Sequence, residues 1–108
     1  MAYDEGLAQL LREELAGEAI IEKKMFGGLC FLYHGHMVCG VHKGGGMFRV
    51  GKPNEAAARA VEGTGPMEFT GKPMAGMVQC DDAALEDDAR RGAPMALSLG
   101  FVKTLPPK

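Results

Sequence analysis

Between Lys23 and Val41 lie two of the three cysteines, two of the three histidines and an adjacent pair of lysines. Thiols and imidazoles at short spacing are the raw material of redox or metal chemistry. Cys30 and Cys39 flank His34-Gly35, a dipeptide suited to a two-residue hairpin loop. A regular ladder closed by that loop sets Tyr33 opposite His36, Phe31 opposite Val38 and Cys30 opposite Cys39. That last pair falls at a non-hydrogen-bonded site, where side chains come closest. The two thiols are therefore a candidate dithiol, or two ligands of an ion completed by His34, His36, His42 or Cys80. The spacing Cys-x3-His-x-His-x2-Cys-x2-His matches no zinc pattern. Cys30 and His34, four residues apart on one strand, would stand ~13 Å apart, too far to share an ion. The expectation is therefore no metal and no cofactor, with small buried thiols and with His34 and His36 exposed in the turn.

Other chemistries find less support. Gly27-Gly28 and Gly44-Gly45-Gly46 lack both the Gly-Lys-Ser/Thr ending of a phosphate-binding loop and a strand–GxGxxG–helix setting. The carboxylate pairs Glu13-Glu14, Asp81-Asp82 and Asp87-Asp88 are sequence neighbours, which point ~100° apart on a helix and do not converge. Ser98 is the one serine, set in an apolar run without a glycine elbow. No enzyme activity is expected.

Binding surfaces are better supplied. The formal net charge is −2, which disfavours a general nucleic-acid coat. The middle of the chain is nevertheless mildly basic: Lys23, Lys24, Lys43, Arg49, Lys52, Arg59 and Lys72 oppose only Glu22, Glu55, Glu62 and Glu68. Of these, Lys23, Lys24, Arg49, Lys52 and Lys72 are the candidate partner-binding residues. Eight methionines are many for 108 residues, and six of them (Met25, Met37, Met47, Met67, Met74 and Met77) fall in or beside expected strands. Methionine fills core gaps and also builds adaptable binding surfaces.

The elements that must position these groups follow from periodicity. Leu7, Leu10, Leu11 and Leu15 mark a helix from Asp4 to Ala16, with Asp4 as cap and Gly17 as stop. Short strands follow at Ile20–Met25, Leu29–Tyr33, Met37–Val41 and Met47–Val50. Pro53 opens a helix reaching Val61. Two more strands, Met67–Thr70 and Met77–Cys80, flank Gly71-Lys72-Pro73. A helix capped by Asp81 or Asp82 runs to Arg91, and Gly92 and Pro94 separate it from a last helix, Pro94 to Leu105. That last helix is apolar nearly all round, which fits a wedge between sheet and first helix, or a homodimer contact. The reading is a single α+β domain over 1–108. One antiparallel sheet of five or six strands is flanked by helices at both ends, in the order α-β-β-β-β-α-β-β-α-α. Hydrophobic content of 46% and charged content of 24% are those of an ordinary globular chain. The acidic start lacks a signal peptide's basic and apolar parts, and the odd cysteine count disfavours a disulfide framework. Both point to the cytoplasm, with no membrane contact.

An ordered set of short motifs then carries a resemblance. Met1-Ala2-Tyr3-Asp4, Lys24-Met25-Phe26-Gly27-Gly28, Arg49-Val50-Gly51, Pro66-Met67 with Phe69, Gly71-Lys72-Pro73-Met74 and Leu105-Pro106-Pro107-Lys108 follow one another along almost the whole chain. Together they resemble the N-terminal domain of the TfoX/Sxy competence regulators of bacteria. The resemblance implies an α+β fold and a regulatory, non-enzymatic role with no catalytic motif to carry over. Full-length relatives add a C-terminal helical domain and promote transcription of DNA-uptake genes with the cyclic-AMP receptor protein. The expected function is an adaptor that contacts a protein partner such as a transcription factor. Direct nucleic-acid binding through the basic centre, and a redox or metal protein built on Cys30 and Cys39, are the alternatives.

Overall fold

Asp4 sets the first element. Its side-chain oxygen accepts from the Leu7 backbone N–H at 3.1 Å, and helix α1 runs Glu5–Glu14 behind that cap. Leu7, Ala8 and Leu11 on its inner face are buried, each leucine contributing ~1.5–3 kcal/mol of transfer free energy. Such burial stabilises a helix too short to persist by propensity alone. The structure is a computed structural model describing residues 3–25, 27–69 and 72–107, with the side chains of 68, 69, 72 and 73 outside that description.

The strands are β1 (Ile20–Met25), β2 (Gly28–Tyr33), β3 (His36–His42), β4 (Gly45–Arg49), β5 (Thr64–Phe69) and β6 (Lys72–Cys80). They form one antiparallel sheet in the order β1-β2-β3-β4-β6-β5. Between β4 and β5 the chain makes a 3₁₀ turn, Lys52–Asn54, and a short helix α2, Glu55–Arg59. His34 (φ +50°) and Gly35 (φ +88°) join β2 to β3 with both central residues left-handed, the turn whose twist matches a hairpin's.

The hairpin ladder corrects the expected facing of Cys30 and Cys39. Tyr33 pairs with His36 and Leu32 with Met37, but Phe31 then pairs with Cys39 and Cys30 with Gly40. Val38 is an extra residue on β3. The bulge turns Val38 and Cys39 both toward the helices, where they pack with Phe31 in the main core. A regular ladder would have sent Cys39 to the other face. The two thiols consequently belong to different hydrophobic clusters.

The C-terminal break also falls elsewhere than the sequence suggests. Helix α3, Asp82–Glu86, is one turn long, and Asp87 (φ −90°, ψ 121°) ends it. The Asp87 carboxylate accepts from the Arg90 N–H at 2.9 Å and starts α4, which runs Asp88–Val102 straight through Gly92 and the buried Pro94. The Asp87 cap starts the helix, and burial of Pro94 in the core helps offset the helical hydrogen bond lost at proline.

All four helices bury their apolar residues on one side of the sheet. Leu7 and Leu11 of α1, Ala58 of α2, Leu85 of α3 and Met95 and Val102 of α4 share a core with Leu29, Phe31, Val41, Phe48, Val50 and Val78. The exposed positions of α4 are Asp88, Ala89, Ala93, Ala96 and Gly100, so its large apolar residues are buried or half-buried. Arg91 is 6% exposed and pins the helices together. Its guanidinium donates to Glu14 of α1 (2.7 Å), the Leu85 carbonyl (2.7 Å) and Asp88 (2.6 Å). Among the described residues no helix is long and apolar enough to cross a membrane.

Candidate functional site

Strand alternation leaves the sheet with a second face, and methionine occupies it. Met25 of β1, Met37 of β3, Met47 of β4, Met67 of β5, and Met74 and Met77 of β6 form one cluster there with Cys30 and Leu32 of β2. Every strand contributes, and every member of this cluster lies on a strand. Met37, Met47, Met67 and Met77 are buried against one another, while Met25 and Met74 are half-buried. The remaining described methionine, Met95, belongs to the helix side.

Gly40 is what allows the floor of this face to close. A Cβ there would stand 2.8 Å from the Met47 Cε and 3.1 Å from the Cys30 Sγ. Without it, the two sulfur-bearing side chains meet over the β3 backbone.

Toward the His34-Gly35 turn the face opens into a cleft of about 210 Å³. Met25, Leu32, Met37, Met74 and Met77 line it, with Gly35 at its end, and Arg49 is the one charged residue among the described ones that line it. Arg49 reaches this side because it pairs with Met77 across the β4–β6 ladder. Its guanidinium carbon lies 5.5 Å from the centroid of the Phe101 ring, a cation–π distance that steadies the side chain at the sheet end. Among the described residues no carboxylate pairs with Arg49.

The expected basic surface divides. Lys23 pairs with Cys30 and so stands on the methionine side, as does Ile21, which pairs with Leu32 and is 69% exposed. Lys24 pairs with Leu29 and stands on the helix side. Lys52 is exposed in the 3₁₀ turn after β4. The Lys72 side chain lies outside the described residues. The open face therefore gathers Lys23 and Arg49 from the five candidates.

The thiols are chemically quiet. Burial pushes Cys30 up to about 11 and holds Cys39 well above the ordinary thiol range. Burial also raises Cys80, against a contact with the Thr64 hydroxyl at 3.3 Å that works the other way. All three are free. A thiol kept protonated is a poor nucleophile and a poor metal ligand. No group of three or more metal-ligating His, Cys, Asp or Glu occurs among the described residues.

His34 is exposed in the turn, as expected, but His36 is buried and its Nε2–H donates to the Pro106 carbonyl at 2.7 Å. That bond ties the C-terminal tail to the start of β3. The carboxylates serve structure: Asp81 accepts from the Ala84 N–H, Asp87 caps α4, and Glu14 and Asp88 hold Arg91.

The methionine side was visible in the sequence as a pairing of types. Met47-Phe48 and Met77-Val78 each set a methionine beside a residue of the helix-side core. Period-two strands send such neighbours to opposite faces.

A family model described as the TfoX N-terminal domain matches residues 10–101. The chain belongs to that family. In this TfoX N-terminal domain the matched span begins within α1, ends within α4 and contains all six strands, so the methionine face and Arg49 lie inside it. No curated protein and no solved structure matches the chain.

Proposed function

We propose that this TfoX N-terminal domain is a non-enzymatic regulatory adaptor that docks a protein partner on its methionine face. One observation carries the reading. The face of the sheet away from all four helices is built from six thioether side chains, with Ile21, Lys23 and Arg49 around it. Unbranched, polarizable side chains repack around different partners at small cost, which is why such surfaces recur at adaptable interfaces. An exposed isoleucine on an edge strand, with Lys23 on the same strand and Arg49 across the face, neither of them ion-paired among the described residues, fits a partner segment that is apolar at its centre and acidic at its flanks. Strand β1 is an edge of the sheet, so such a segment also finds backbone groups to pair with.

The chemistry supports a binding role over a reaction. The thiols are desolvated and protonated, and Asp81 and Asp87 cap helices while Glu14, Glu22 and Glu18 pair with Arg91, Arg12 and Lys103. Nucleic-acid binding would draw on a continuous basic track, and Lys23 and Lys24 point to opposite sides of the sheet. The role agrees with the transcriptional co-regulation that the family resemblance implies.

A photo-crosslinker at Ile21, compared with one at Ala96 on the outer side of α4, tests the reading. A discrete crosslinked partner from position 21 and none from position 96 is expected. Crosslinking from position 96 alone would overturn it.

A further inference from the structure

We infer that the cleft on the methionine face is a binding site for a small, single-ring aromatic carboxylate. The cleft shares its methionines and Arg49 with the proposed docking face, and the test uses the isolated chain and a free ligand, so its failure leaves the docking reading in place.

Three features of the cleft specify the ligand. Its volume of about 210 Å³ exceeds the ~150 Å³ of an apolar cavity known to admit benzene, leaving room for a ring and a short polar appendage. It falls short of the roughly 300 Å³ at which sites for larger ligands begin. Its walls are Met25, Met37, Met74 and Met77 with Leu32. Thioether sulfurs make favourable contacts with aromatic ring edges, so these walls select a ring over a saturated chain of equal size.

The third feature is Arg49. Among the described residues it is the one charged group that lines the cleft, and no carboxylate neutralises it. Guanidinium presents two parallel N–H donors that match a carboxylate's two oxygens. The Phe101 ring, 5.5 Å from the guanidinium carbon, limits the freedom of that side chain. A ring among the methionines with a carboxylate on Arg49 satisfies both parts of the cleft at once. A phosphate would take the charge but not the thioether walls. A neutral ring would take the walls but leave the cation unpaired.

The chain labelled with ¹³C at the methionine methyls reports on this directly, with 3-phenylpropionate as the probe. The Met37, Met74 and Met77 methyls are expected to shift saturably, with a Kd on the order of 1 mM or tighter for a ligand of this size. Met95, on the helix side, is expected to stay in place. Arg49→Gln should weaken binding about ten-fold, the loss of a charge-assisted pair. Its unchanged Met95 signal would show that the variant is folded. On the unaltered protein, 3-phenylpropanamide should bind about ten-fold more weakly than the acid, and hexanoate more weakly than the aromatic acid.

Several results would overturn the inference. They are the absence of saturable shifts at the open-face methyls, equal shifts at Met95, an amide that binds as well as the acid, and hexanoate that matches the aromatic acid. A peptide ending in phenylalanine that binds more tightly than the free acid would also overturn the assignment to a free small molecule.

Discussion

Arg91 Nε donates to Glu14 Oε1 at 2.7 Å, joining α4 to α1 across 77 positions of sequence. The same guanidinium closes on the Leu85 carbonyl and Asp88, so one buried cation fixes three helices above the sheet. Truncating it leaves Glu14 and a carbonyl without their donor. Arg91→Ala is expected to cost about 3 kcal/mol in urea unfolding, the scale of breaking a partly buried ion pair. Adding Glu14→Gln to that variant should recover part of the loss, since the stranded charge is then removed.

The thiols predict how stability responds to base. Their folded pKa values lie above the ordinary range of about 8.5–9, so above that range the unfolded chain releases protons that the folded chain retains. The unfolded state then binds fewer protons, and stability falls as pH rises. The decline is expected to begin near pH 8.5–9, with each thiol adding at most about 1.4 kcal/mol per pH unit. Denaturant midpoints from pH 7 to 10 check this. Cys39→Ala should flatten the slope.

His42 gives the acid limb. Burial depresses its pKa, with Asp82 acting weakly against that, so protonation favours the unfolded chain. Stability should be full above about pH 6.5 and fall as the pH drops below it. A His42→Gln variant with an unchanged acid limb would assign that loss to other groups.

Gly40 marks the closest packing beneath the open face. Gly40→Ala places a methyl 2.8 Å from both the Met47 Cε and the Leu29 carbonyl oxygen, and the oxygen belongs to a strand that cannot yield. A loss of about 1–3 kcal/mol is expected, the cost of overpacking. The Met47 methyl resonance should move more than that of Met95.

Asp87 carries the start of α4 through its bond to the Arg90 N–H. Asp87→Ala should cost about 1 kcal/mol by thermal or chemical unfolding, and Asp87→Ser should restore most of it.

Strand positions, the His34-Gly35 turn and the Asp4 cap were legible because each is local. A left-handed dipeptide or a side chain three residues from its acceptor needs no tertiary knowledge. The register of Cys30 and Cys39 was not local. The β3 bulge sends Val38 and Cys39 to one face, where both join Phe31 in the helix-side core, and no local sequence signal marks such a shift. The helix break at Asp87 instead of Pro94 is a contest between a cap and a breaker, decided by packing that also buries Pro94. The six strand methionines were visible as a set. Their gathering on one uncovered face depended on knowing that all four helices pack on the other. Arg49 was singled out from sequence by charge alone, and only the β4–β6 pairing with Met77 places it in the cleft.

The claim that the methionine face is the docking surface meets its most direct test in the affinity of the partner captured through Ile21. Calorimetry would compare the unaltered chain with Ile21→Glu, Arg49→Glu and Ala96→Glu. At least a ten-fold rise in Kd is expected for each of the first two, from lost apolar contact and reversed charge, with Ala96→Glu unchanged. Unchanged affinity in the two face variants, with binding lost in Ala96→Glu, would contradict it.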